Sequence, residues 1–195
     1  MFTLANDYLR LTLSAHGTLD ELTCLATGTN HIARPGMELW RIILQDEESL
    51  VNLVTPGNQS CAVSREGEAL VLTVPRLAYS FHGRMREVAV ALRLSVRLEG
   101  DTARWTAEIE NADPAIRVME VWAPMVNGLR PPADWALYYP QDCGLHMADP
   151  VHNLGDRGQM FRFGVSNAHL RELYPGKASM QWMGLYSETE GLYVC

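Results

Sequence analysis

Arg86-Glu87-Val88-Ala89-Val90-Ala91-Leu92-Arg93-Leu94-Ser95-Val96-Arg97-Leu98 alternates in polarity from end to end. Val88, Val90, Leu92, Leu94, Val96 and Leu98 share one parity, and Glu87, Ala89, Ala91, Arg93, Ser95 and Arg97 share the other. A period of two over so long a window belongs to a half-buried strand, because an amphipathic helix would repeat its apolar residues near 3.6. One long strand is therefore expected from Arg86 to Leu98. Glu99-Gly100-Asp101 turns the chain, and Ala103 to Glu110 returns with Trp105, Ala107 and Ile109 on one face. Asn111-Ala112-Asp113-Pro114 closes that strand, and Ile116 to Val126 follows, with Pro124 marking an edge or a strand end.

Upstream, the same grammar repeats. Cys61 to Arg65 pairs with Ala69 to Val74 across Glu66-Gly67-Glu68. Near the start, Leu9, Leu11 and Leu13 oppose Arg10, Thr12 and Ser14; His16-Gly17 turns the chain, Leu19, Leu22 and Leu25 continue it, and Thr27-Gly28-Thr29-Asn30 closes a hairpin. Leu39 to Leu44, carrying Trp40, and Leu50 to Val54 read as further strands between the loops Arg34-Pro35-Gly36, Asp46-Glu47-Glu48 and Thr55-Pro56-Gly57-Asn58. From Asn127 the texture changes: Gly128, Pro131, Pro132, Pro140, Gly144, Pro150, Gly155, Gly158 and Gly164 cut the chain into short pieces, with strand-like fragments at Trp135 to Tyr139 and Met160 to Phe163. At the end, Pro175-Gly176 is a turn. Met180, Trp182, Leu185 and Tyr186 then form an apolar strand, Ser187 to Gly191 closes a hairpin, and Leu192-Tyr193-Val194 returns. No segment reads as a helix longer than a turn or two. The expected fold is all-β, an antiparallel two-sheet β-sandwich occupying residues 1–195 as a single domain.

Composition narrows the function classes. A hydrophobic fraction of 47% is enough for a sizeable core and argues against disorder. The net charge of -7, from 16 basic and 23 acidic residues, argues against nucleic acid as a partner, and no basic cluster exceeds Arg84-Met85-Arg86. No apolar run approaches the roughly 20 residues that a membrane span requires. Met1-Phe2-Thr3-Leu4 lacks the charged and apolar regions of a signal peptide, which favours a cytoplasmic location. Cys24, Cys61, Cys143 and Cys195 stand at wide, irregular spacings with no CxxC pair, so buried free thiols are expected rather than a zinc site.

The chemistry-bearing residues crowd into one loop-rich stretch. Trp135, Tyr138, Tyr139, Gln141, Asp142, His146, Asp149, His152 and Asn153, with Asp134 beside them, supply aromatic faces for the apolar side of a sugar ring and amides and carboxylates for its hydroxyls. The same residues equally suit an interdomain surface, or a core filled by Trp135 and Tyr138 with the rest solvated. His146, Asp149 and His152 fit no compact metal pattern, and neither a metal nor a cofactor is expected. Ser166, His169 and Asp156 include triad residue types but lack a GxSxG elbow. His82-Gly83-Arg84 reads as a turn before it reads as an anion site.

Two sets of residues carry a resemblance to a known family. Tyr174-Pro175, Ser179-Met180-Gln181-Trp182-Met183 and Gly191-Leu192-Tyr193-Val194 resemble the end of the N-terminal β-sandwich in a group of large bacterial glycoside hydrolases, where such a domain precedes a (β/α)8 catalytic barrel. Leu4-Ala5-Asn6-Asp7-Tyr8-Leu9-Arg10-Leu11, Gly17-Thr18-Leu19 and Leu25-Ala26-Thr27-Gly28-Thr29-Asn30 resemble the opening hairpins of galactose-mutarotase-like supersandwich domains. The resemblance implies a supersandwich with no catalytic residue of its own, supporting a following barrel and contacting carbohydrate, within a longer protein that is itself a glycoside hydrolase. The run of β-formers up to Cys195 fits a chain that continues. Trp182, Tyr186 and Tyr193 would then face the barrel, and the isolated chain would pair as a homodimer through that patch. Two alternatives stay open: a stand-alone aldose-epimerase-like enzyme, for which no His and Glu pair can be placed, and a free-standing carbohydrate-binding module. Fold likeness alone transfers no activity.

Overall fold

The computed structural model describes residues 1–48, 50–129, 131, 134–140, 144–150, 153 and 182–195. Sixteen strands lie among them. They are β1 (Phe2–Ala5), β2 (Leu9–Leu13), β3 (Leu19–Cys24), β4 (Arg41–Gln45), β5 (Val51–Val54), β6 (Ala62–Glu66), β7 (Ala69–Val74), β8 (Leu77–Phe81), β9 (Arg84–Val88), β10 (Val90–Glu99), β11 (Thr102–Asn111), β12 (Arg117–Trp122), β13 (Ala136–Tyr139), β14 (Leu145–Ala148), β15 (Met183–Tyr186) and β16 (Gly191–Val194). Among the described residues one 3-10 turn, Pro56–Asn58, follows β5. The fold is all-β and sandwich-like, and every strand pair among the described residues is antiparallel, which suits strands that alternate in polarity. The chain divides into two compact units, Met1–Leu129 and Arg130–Cys195.

The first unit holds four sheets, ordered β1-β2-β3, β11-β10-β7-β6, β12-β4-β5 and β8-β9. Its core is the inward parity of these strands. Leu92, Leu94 and Val96 of β10 stand opposite Val74, Leu72 and Leu70 of β7, and all six are buried. Strand β1 packs on β6, β7 and β10, which brings buried Leu4 and its partner Leu11 towards that layer. The β2–β3 turn is fitted to it closely. Gly17 adopts φ +73, and a Cβ there would collide with the Leu72 side chain. Glycine is therefore required twice over, for its dihedral and for its missing side chain.

Several expectations are corrected here. The stretch from Arg86 to Leu98 is two strands: β9 ends at Val88, and β10 begins at Val90 in a different sheet. Val88 and Val90 are both buried, so the alternation survives the change of sheet across Ala89. The strand before it, β8, escaped the sequence reading. It pairs with β9 through a two-residue turn in which His82 (φ 47) and Gly83 (φ 75) both take the left-handed conformation of the tight turns favoured in hairpins. Strand β11 is an edge strand, and Trp105 and Ile109 are only half-buried on it while Ala107 is exposed. The strand placed at Leu39 begins at Arg41, although Leu39 and Trp40 are fully buried just before it. The thiols of Cys24 and Cys61 are half-buried rather than buried, and Cys195 is exposed.

The second unit holds one described sheet, ordered β14-β13-β15-β16. No described helix is long and apolar enough to cross a membrane. The turn at Pro175-Gly176, the fragment Met160 to Phe163, and the residues Cys143, Asp156, Ser166 and His169 lie outside the described residues.

Candidate functional site

The β14-β13-β15-β16 sheet has two chemically distinct faces, and register sets them. Tyr138 stands opposite His146 on one side and Gly184 on the other, and Gly184 stands opposite Tyr193. Ala136, Tyr186 and Gly191 form the neighbouring rung of the same face. The intervening parity, Met147, Leu137, Leu185 and Leu192, makes the other face aliphatic. One residue step separates the two chemistries, because side chains on a strand point to alternate sides.

The aromatic face is built around a glycine. Strands β13 and β16 flank β15, so Tyr138 and Tyr193 sit two strand spacings apart, about 9.5 Å at typical geometry. Gly184 leaves the space between them without a side chain. Trp182, two residues earlier and so of the same parity, folds into that space, its Cζ3 lying 4.0 Å from where a Gly184 Cβ would stand. The indole then stacks on both sides. Its centroid is 5.4 Å from the Tyr138 ring at an interplanar angle of 5°, and 5.6 Å from the Tyr193 ring at 29°. Both distances fall in the favourable range for aromatic pairs. The phenol end of Tyr138 in turn lies over Gly144, whose φ of +96 and absent side chain admit it, with a Cβ there only 3.2 Å from the hydroxyl oxygen.

Beside the stack is an open, mainly apolar depression of about 460 Å³. Tyr138, Trp182, Tyr186 and Tyr193 wall it, and Gly184 and Gly191 contribute to its floor. His146 stands at its border, 6.4 Å from the Tyr138 ring and 6.2 Å from the Tyr186 ring. The rings remain accessible, with Tyr193 61% exposed and Tyr186 39%. Three phenols and an imidazole are therefore available to donate or accept hydrogen bonds around an apolar centre.

The residues singled out in the sequence distribute as follows. Tyr138 and His146, expected in a carbohydrate or interdomain stretch, share one face with Trp182, Tyr186 and Tyr193, expected at an interface. These five side chains therefore lie on one face of one sheet. Tyr139 has the opposite parity to Tyr138, and Trp135 is only 4% exposed, in the core of its unit. Leu185, grouped in the sequence with Trp182 and Tyr186, faces the aliphatic side. Asp149 (φ 44) and Asn153 do local structural work: the Asp149 N–H donates to the Trp135 carbonyl at 3.2 Å, and Asn153 Nδ2 donates to the Ala148 carbonyl at 2.6 Å. Gln141, Asp142 and His152 lie outside the described residues. Gly184 is the position of this face that the sequence reading missed; its signal was a side-chain gap in the aromatic parity of Trp182-Met183-Gly184-Leu185-Tyr186. Among the described residues, no group of three or more His, Cys, Asp or Glu side chains is arranged to hold a metal ion. The sequence matches no family model and no curated protein.

Proposed function

We propose that this chain is a β-sandwich part of a glycoside-hydrolase-like protein that supports a catalytic barrel, and that the aromatic face of its β13–β16 sheet contacts carbohydrate. The observation that carries the reading is the Tyr138–Trp182–Tyr193 stack with the depression beside it. A pyranose presents an apolar C–H face that lies flat on aromatic rings, while its equatorial hydroxyls reach outward to polar groups at the rim. The aromatic walls suit the first requirement, and the phenol hydroxyls with His146 suit the second. The resemblance carried by Ser179 to Val194 supports the assignment to this class, since Trp182 and Tyr193 belong both to the motif and to the stack.

The test is binding to a panel of soluble polysaccharides by affinity gel electrophoresis, followed by calorimetry on any that retard the protein. Trp182→Ala and Tyr193→Ala should each weaken retardation by about tenfold or more, as removal of a stacking platform does in other aromatic sites. Tyr8→Ala, which alters an exposed tyrosine of the first unit, should leave it unchanged. Equal retardation of all these proteins, or of none including the unaltered chain, would refute the carbohydrate reading.

A further inference from the structure

Strand β11 is the longest edge strand among the described residues, ten residues from Thr102 to Asn111 with β10 on one flank and no described strand on the other. Sheets commonly blunt such edges by shortening them, bulging them or placing lysine or proline on them. None of the other described edge strands exceeds six residues, and β12 also carries a bulge between Val118 and Glu120. Strand β11 has no lysine or proline, and its register with β10 is unbroken. The same ladder shows which backbone groups point outward. Val90 stands opposite Asn111, and one step further the Ala112 N–H donates to the Ala89 carbonyl at 2.8 Å. Residues of an antiparallel strand alternate between bonding their partner strand and pointing away from it. The even-numbered residues of β11 therefore bond β10, and Ala103, Trp105, Ala107, Ile109 and Asn111 turn their N–H and C=O groups outward.

We infer that β11 pairs antiparallel with β11 of a second copy of this chain, about a two-fold axis at Thr106, joining two four-stranded sheets into one of eight strands. The strand is complementary to itself in that register. On the outer face Arg104 meets Glu108 of the second copy, and Glu108 meets its Arg104. On the inner face Trp105 stands opposite Ala107 and Ile109 opposite Ala103, a large side chain against a small one at each rung. Both charged side chains are accessible, Arg104 67% exposed and Glu108 64%. Their contacts within the chain leave room for a partner. Glu99 takes Arg104 Nε at 2.8 Å, which leaves the terminal nitrogens of the guanidinium for a second carboxylate, and Glu108 is 3.9 Å from Arg93, which already meets Glu66 at 2.6 Å. Other registers lose this match. An axis two residues away sets Arg104 against Arg104 or Glu108 against Glu108, and like charges directly opposite destabilise a strand pair. An axis one residue away leaves Glu108 opposite Thr102 or Thr106, and sets Trp105 against itself or against Ile109. The surface is separate from the aromatic face, and the inference does not rest on the carbohydrate reading.

The experiment is sedimentation velocity of the whole chain over a concentration series, which should show a reversible dimer. Arg104→Glu and Glu108→Arg each oppose like charges twice per dimer and should weaken it by about tenfold or more. The double variant carrying both reversals should regain the dimer. Mixing the two single variants should also give a dimer, one edge then being acidic and the other basic. Thr106→Cys should form, on mild oxidation, a disulfide between the two copies of residue 106, identified by peptide mapping, because a residue on the axis faces itself. A chain that is monomeric at every concentration overturns the inference and leaves the edge to a strand of a different protein. A dimer that neither single reversal weakens overturns it as well, and assigns association to another surface. So does a dimer lost in both single variants and regained neither in the double variant nor in the mixture.

Discussion

The side-chain amide of Gln59 pairs with both backbone groups of Ala78: the Ala78 N–H donates to Gln59 Oε1 at 2.8 Å, and Gln59 Nε2 donates to the Ala78 carbonyl at 2.8 Å. One side chain thus acts as a single residue of a neighbouring strand along β8. Backbone groups that are buried must be paired somewhere, and here an amide supplies both a donor and an acceptor. Gln59→Ala should destabilise the chain by about 1–3 kcal/mol, the usual cost of orphaning partly buried polar groups. Gln59→Glu should be worse than alanine near neutral pH, because it sets a carboxylate oxygen against the Ala78 carbonyl. Urea denaturation of the three proteins checks the order.

Glu21 gives a pH prediction. Burial alone would raise its pKa, but hydrogen bonds from Thr23, Arg10 and Thr12, together with the Arg10 charge, outweigh burial and hold it below the ordinary carboxylate value. A carboxyl whose folded pKa is depressed stabilises the fold above its unfolded pKa, and that contribution is lost as pH falls through the folded pKa. The melting temperature should therefore drop as pH is lowered from the ordinary carboxylate range. Glu21→Gln should flatten that part of the profile. A parallel acid limb in the variant would show that other carboxylates govern it.

Gly17 and Gly28 separate two reasons for glycine. Both have positive φ, +73 and +75, but only Gly17 is crowded, by Leu72. Gly28→Ala should cost about 1–2 kcal/mol from the left-handed backbone alone. Gly17→Ala should cost clearly more, because the new methyl must displace a packed leucine. Thermal melts of the two variants give the difference directly.

Gly184 predicts a size threshold. A Cβ at this position would make ordinary contact with Trp182 at 4.0 Å, so Gly184→Ala should keep the stack. Gly184→Leu needs the room that the indole occupies and should expel it. Near-ultraviolet circular dichroism, which reports fixed aromatic packing, should be retained in the first protein and reduced in the second.

Much of the fold was legible because side-chain parity is written in the sequence. Strands β6, β7 and β16 follow from alternation and turn residues alone. Parity reports which side chains are buried together, however, and not which strand receives the backbone hydrogen bonds. That is why Val88-Ala89-Val90 reads as continuous although the ladder changes sheets there. Nor does the shared face of Trp105, Ala107 and Ile109 reveal that they stand on an edge strand. The shift of texture at Asn127 falls close to the boundary between the two compact units. The site was half visible. The aromatic residues were identifiable individually, but a core and an exposed platform share the same alternation. The grouping of Tyr138 with Trp182 and Tyr193 depends on inter-strand register, which no local pattern encodes.

The break at Ala89 divides the first unit by its resistance to opening. The amides of β10 lie between β7 and β11, whereas β8 and β9 form a two-stranded ribbon. The ribbon buries Leu77, Tyr79 and Val88, but its strands have no further described strand beside them in the ladder, and such edges open at lower free energy than central strands. The Ala89 carbonyl accepts from the Ala112 N–H at 2.8 Å, which fastens the corner to the end of the long hairpin. Fraying that begins at the His82-Gly83 tip can travel along the ribbon to Ala89 and stop there. In deuterium exchange the unit should divide at that residue into a fast-exchanging flap and a slow-exchanging slab.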